Sequence, residues 1–126
     1  MAATILVVDD DPNMRELLHM HLTSAGYTVH VAKDAIAAGY EVLRNPPDLI
    51  ISDVNMPHLD GFEFISALKA DKTVPNIPVI FLTTEEEGEN RGRGLGAVGY
   101  VKKPILVAKL LSVVAQHVPG GRTPIG

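Results

Sequence analysis

The sequence predicts an α/β fold on a five-stranded parallel sheet, and three observations predict it. Short apolar runs alternate five times with amphipathic stretches over 126 residues, roughly 25 residues per strand-plus-helix unit. That spacing suits parallel strands joined by crossover helices. The runs are mostly continuous Val, Ile and Leu, the pattern of strands covered on both faces. An apolar share of 46% at this length supports one well-buried core and excludes intrinsic disorder.

The first strand spans residues 4–9 and ends in Asp9, Asp10 and Asp11. A helix follows, with Asp11 as N-cap, Pro12 at its first position, an apolar face of Met14, Leu17, Leu18 and Leu22, and Gly26 just past its end. The second strand, 28–31, is the shortest and most polar, which suits a sheet edge. Its helix, 35–44, starts after Asp34 and stops at Asn45, Pro46 and Pro47. The third strand, 49–53, ends in Asp53, and the next helix starts after Asp60 with Phe62, Ile65 and Leu68 facing inward. The fourth strand, 79–83, ends in Thr83 and Thr84. The helix after it, near 86–95, contains Gly88, Gly92 and Gly94, each costing about 1 kcal/mol relative to Ala, and is expected to be the weakest element. The fifth strand, 98–101, runs into Lys102, Lys103 and Pro104, and a last helix covers 105–117. The domain is expected to occupy 1–118, with 119–126 a flexible tail or the start of a linker.

Composition removes several function classes. The absence of cysteine excludes disulfide frameworks, thiolate metal sites and cysteine nucleophiles, and is compatible with a reducing cytoplasm. No apolar run reaches the roughly 18–20 residues of a membrane span, and no basic leader precedes the first strand. A net charge of −4 with scattered Lys and Arg gives no footprint for nucleic acid or an anionic membrane. His19 and His21 lie two apart on a helix and cannot face one ligand, and His30, His58 and His117 show no metal-binding spacing.

Ligands of an open parallel sheet bind beyond the carboxyl ends of its strands. Four strands deliver at least three carboxylates, a hydroxyl and an ammonium to that edge. Crowded carboxylates repel one another unless a cation is present. Mg²⁺ answers this, because it takes oxygen ligands from one or two carboxylates together with phosphate. The set describes phosphoryl transfer, with one carboxylate as nucleophile forming an aspartyl phosphate.

On these residues the chain resembles the receiver domains of two-component response regulators, and chemotaxis regulators among them. The matching residues over roughly 4–117 are Asp9-Asp10, the run Asp53-Val54-Asn55-Met56-Pro57 with Asp60-Gly61, Thr83, and Gly96-Ala97 leading through Tyr100 to Lys103-Pro104. The resemblance implies a flavodoxin-like doubly wound (βα)5 fold with strand order 2-1-3-4-5. It implies that Asp53 accepts a phosphoryl group from a histidine kinase or phosphotransfer protein. Asp10, Asp53 and the carbonyl of Asn55 would ligate Mg²⁺, with Asp9 acting mainly through a water on the metal. Thr83 would bond a phosphoryl oxygen, Lys103 would pair with the phosphate, and Tyr100 would be the aromatic switch. Asn55 and Glu85 would flank the hydrolytic water and set the lifetime of the phosphoryl group.

The switch surface would comprise the 86–95 helix, the fifth strand and the last helix, read by a downstream effector domain or protein. Asp11, Asp60 and Gly61 are read as cap and turn residues, and Lys102 as a surface charge. Thr84 departs from the small residue usual in the family and would narrow access to the site. The implied role is a cytoplasmic switch without small-molecule turnover, either stand-alone or the front of a longer regulator. A pseudo-receiver acting only through protein contacts is the alternative. A dehalogenase-type phosphatase using Asp9 and Asp11 leaves Asp53 without a reason, and a flavin-binding module should not place three acids in its phosphate loop.

Overall fold

Val, Ile and Leu runs with no polar face can be satisfied only between two layers of helix. In the computed structural model, which describes residues 2–54, 56, 60–83 and 97–118, they are placed there. The strands are β1 (Thr4–Val8), β2 (Thr28–Ala32), β3 (Leu49–Asp53), β4 (Val79–Thr83) and β5 (Gly99–Lys102). All pair in parallel in the order β2-β1-β3-β4-β5, with Ile5 opposite Leu49, Ile51 opposite Ile80 and Phe81 opposite Tyr100. This is the doubly wound order that the family resemblance implies. β2 does lie at an edge, but it is not the shortest strand: β5, at the other edge, has four residues to its five.

Alternation along the strands divides the core in two. Leu6, Val8, Ile50, Val79 and Phe81 pack under α2 (Ala35–Arg44) and α3 (Gly61–Ala70). Ile5, Val7, Ile51, Ile80 and Leu82 pack under α1 (Pro12–Ser24) and α4 (Val107–His117).

Cap chemistry sets the helix ends. Asp11 accepts from the Asn13 N–H at 2.9 Å, Asp34 accepts from Ala37 at 2.8 Å, and Asp60 forms a reciprocal capping box with Glu63. α1 closes on Gly26, whose φ of 101° is open to glycine at little cost. There Gly26 donates to the Thr23 carbonyl and Tyr27 to the Leu22 carbonyl, which satisfies two orphaned acceptors. α4 begins at Val107 rather than 105, because Ile105 is drawn against the core and Leu106 keeps an extended backbone as N-cap. The expected helix at 86–95 and the tail at 119–126 lie outside the described residues, as do Asn55, Pro57, His58, Thr84, Glu85 and Gly96.

Candidate functional site

Where β1, β3, β4 and β5 end, the chain stops being apolar. Asp9, Asp53 and Thr83 are buried there, at 0%, 3% and 2% exposure, whereas Asp10 is exposed. Register accounts for the convergence. Val8 pairs with Ser52, Asp53 with Leu82, and Thr83 with Lys102, so the last residues of four strands finish level. Asp9 continues the β1 ladder by donating its N–H to the Ala32 carbonyl at 3.1 Å.

The polar contacts are specific. Lys103 Nζ lies 3.0 Å from Asp53 Oδ1, a charge pair shielded from solvent on the carboxylate side. Lys103 is held by its own backbone, since its N–H donates to the Thr83 carbonyl at 2.9 Å. Asp9 Oδ1 accepts the Asp11 N–H at 2.9 Å, and the Asp9 carbonyl accepts from Arg15 Nη1 at 2.8 Å. Asp9 Oδ2 is buried and finds no hydrogen-bond donor among the described residues.

One carboxylate oxygen from each of Asp9, Asp10 and Asp53 falls within a cluster whose members lie within 4.8 Å of one another. Burial pushes the Asp9 carboxyl up to about 6, and the charges of Asp53 and Asp10 add to the rise; the Asp11 N–H and the Lys103 charge oppose it. Three carboxylates at this separation, with one buried oxygen lacking a donor, form an acidic oxygen pocket suited to a hard divalent cation.

Around this pocket are two residues that the sequence reading did not connect with it. Ser52, fully buried in the apolar β3 run, donates its hydroxyl to the Asp53 carbonyl at 3.0 Å. Gly61, read as a turn residue, donates its N–H to the Val54 carbonyl at 2.8 Å, and a Cβ on it would collide with the Asp53 carbonyl. The signal for Gly61 was its place directly after a helix cap, where a close approach to another backbone needs a residue without a side chain. A lone serine in a buried strand carries no comparable signal.

Thr83 and Tyr100 lie on the same face of the sheet. The Tyr100 ring packs on Phe81 with centroids 6.1 Å apart and planes 25° from parallel, and Phe81 meets Phe62 edge-on at 4.8 Å. Thus Asp9, Asp10, Asp53 and Lys103 come together directly, Thr83 closes the end of the neighbouring strand, and Tyr100 reaches the β4 side through Phe81.

Comparison with known proteins agrees with this architecture. The family model for the response regulator receiver domain matches residues 5–115. The chain is 37% identical over 123 residues to the phosphate regulon transcriptional regulatory protein PhoB of Pseudomonas aeruginosa, covering 93% of this chain and 54% of that protein. It is 39% identical over 114 residues to the response regulator MprA of Mycobacterium sp. (strain KMS), covering 89% and 49% respectively. It therefore spans about half the length of the curated relatives it matches. Among solved structures, the chemotaxis protein CheY4 of Vibrio cholerae superposes with a TM-score of 0.87 at 35% identity, covering 94% of this chain and all of that one. The receiver domain of a signal transduction histidine kinase from Syntrophus aciditrophicus gives a TM-score of 0.84 at 34% identity, covering 94% and 92%.

Proposed function

The chain belongs to the family of response regulator receiver domains, and from that premise we propose that Asp53 is its phosphoacceptor. Receiver domains are signalling switches that bind Mg²⁺ at an acidic pocket. The observation that carries the reading is the buried Asp53 carboxylate held 3.0 Å from Lys103 beside two further carboxylates.

Asp53 would attack phosphorus with a carboxylate oxygen, forming an O–P bond as the bond from phosphorus to the donor breaks and the donor leaves. With a histidine donor the leaving group is the imidazole nitrogen, which suits a histidine kinase or phosphotransfer protein as partner. Lys103 restrains the carboxylate before the reaction and pairs with the added negative charge after it. A hydroxyl donor at Thr83 would hold a phosphoryl oxygen. Asp9, Asp10 and Asp53 would hold Mg²⁺, which when bound offsets their mutual repulsion and the charge of the phosphoryl oxygens. A further proposed ligand, the carbonyl of Asn55, lies outside the described residues.

Gain of a Thr83 contact to the new phosphoryl group, in exchange for its resting contacts, would free space for the Tyr100 ring. That move would carry the signal toward the surface read by an effector domain or protein. The proposed setting is the cytoplasm, with DNA and membrane contacts left to any attached output domain. No helix among the described residues is long and apolar enough to cross a membrane.

Incubation with acetyl phosphate and measurement of intact mass tests the reading. A single phosphate adduct that needs Mg²⁺ and is absent in Asp53→Ala is expected. Absence of any adduct in the wild type would leave a pseudo-receiver acting only by protein contact, and an adduct on Asp53→Ala would move the chemistry elsewhere.

A further inference from the structure

The outer face of α2 has no counterpart in the packing of the described residues. Ala35, Ala38 and Val42 are buried against the sheet, yet Ile36, Tyr40 and Leu43 on the other side are 67%, 67% and 62% exposed. Their i, i+4, i+7 spacing makes one stripe about 10 Å long, the length of two helical turns. The stripe borders a groove of about 360 Å³ between α2 and α3, which Phe64 and Leu68 also line.

Gly39 sits within the stripe, and a Cβ built on it would meet nothing within 4 Å. Glycine in a helix interior costs about 1 kcal/mol relative to alanine. Nothing in the packing of the described residues asks for it, but it leaves a flat spot where another backbone can approach closely.

Over Leu68 and Val74 the groove continues into a second concavity of about 330 Å³, with Lys69 and Lys72 among its lining residues. The Asp71 carboxylate, common to both concavities, is engaged by Thr73, whose N–H and hydroxyl donate to it at 2.9 and 2.6 Å. Lys72 makes no hydrogen bond or ion pair among the described residues. On a chain of net charge −4, this end of the groove sets Lys69 and Lys72 against the single carboxylate of Asp71.

We propose that the α2–α3 groove is a docking site for an amphipathic helix of a partner protein. Its apolar side chains would lie along Ile36, Gly39, Tyr40 and Leu43, and its acidic residues would face Lys69 and Lys72. A helix fits better than a second copy of the domain because of area. Three exposed side chains and a narrow floor offer on the order of a few hundred Å², whereas a stable interface between globular partners takes about 800 Å² from each. A single helix read at i, i+3/i+4 and i+7 needs no more than such a groove. None of these residues belongs to the Asp53 site, so the proposal stands apart from the phosphoacceptor reading.

The probe is a synthetic helical peptide of about 15 residues, with leucines at i, i+3, i+4 and i+7 and flanking glutamates, titrated into ¹⁵N-labelled protein. A matched peptide carries lysines in place of the glutamates. Amide shifts confined to α2, the end of α3 and residues 71–76 are expected, with the lysine peptide about tenfold weaker. Gly39→Met, which fills the flat spot while favouring the helix, and Tyr40→Asp should each weaken binding by a similar factor, with acetyl phosphate labelling of Gly39→Met unchanged. Absence of shifts at millimolar peptide, or equal binding of both peptides, would overturn the proposal. So would concentration-dependent sedimentation abolished by Tyr40→Asp, which would assign the face to a second copy.

Discussion

Two adjacent carboxylates at the end of β1 have opposite environments. Asp9 is fully buried and Asp10 is exposed: the Asp9 N–H still extends the β1 ladder to the Ala32 carbonyl, whereas Asp10 lies one residue past it. The resemblance gives the pair different roles toward a metal, but nothing in the sequence marks their difference in burial, so membership of an acidic site was legible and the contrast in environment was not. That difference has a thermodynamic consequence. With its carboxyl raised from 3.8 to about 6 by burial, folded Asp9 binds a proton more tightly than it does in the unfolded chain, so its contribution to stability declines as pH rises. The decline runs from about pH 4 to about pH 6 and is complete above that window, reaching on the order of 3 kcal/mol for a rise of about two units. In EDTA, Asp9→Asn should therefore be more stable than wild type at pH 7 and not at pH 3.5. Urea midpoints at the two values measure this. Added Mg²⁺ should narrow the gap at pH 7 by stabilising the wild type; a pH-independent gap would mean that the Asp9 charge carries no strain.

The helices were legible because their caps are chemical and local. Asp11, Asp34 and Asp60 each accept the backbone bond that their position announces. The boundaries of β5 and α4 were less so, since Ile105 and Leu106 read as helix formers until the core claims one and the other becomes the cap. Contact between elements was least legible of all. Gly61 looks like a turn residue in sequence, but it lets the first turn of α3 press against the backbone of β3 at Asp53. Gly61→Ala should cost about 1–3 kcal/mol through backbone displacement, and it should slow labelling by acetyl phosphate. Gly39→Ala provides the contrast within another helix. With nothing within 4 Å of its Cβ, it should gain up to about 1 kcal/mol. Denaturant midpoints of both variants check the pair, and a Gly61→Ala protein as stable and as readily labelled as wild type would remove α3 from the account of the site.

At the scale of the whole molecule, the fold is a device for bringing strand ends level. Order β2-β1-β3-β4-β5 sets β3 beside both β1 and β4, and β5 beyond β4 returns Lys103 to Asp53. This convergence was legible because parallel strands share one carboxyl edge, whereas the supports beneath it were not. The Gly61 N–H reaching the Val54 carbonyl, and the Tyr100 ring stacked on Phe81, exist only once separate segments are packed. The central claim is that this edge makes Asp53 a Mg²⁺-dependent phosphoacceptor. Trapping with borohydride after incubation with acetyl phosphate reduces an aspartyl phosphate to homoserine and marks the acceptor in a peptide map. Homoserine at position 53 alone, formed with Mg²⁺ and lost in EDTA, is the predicted result; homoserine at position 9 or 10, or none at all, would contradict it.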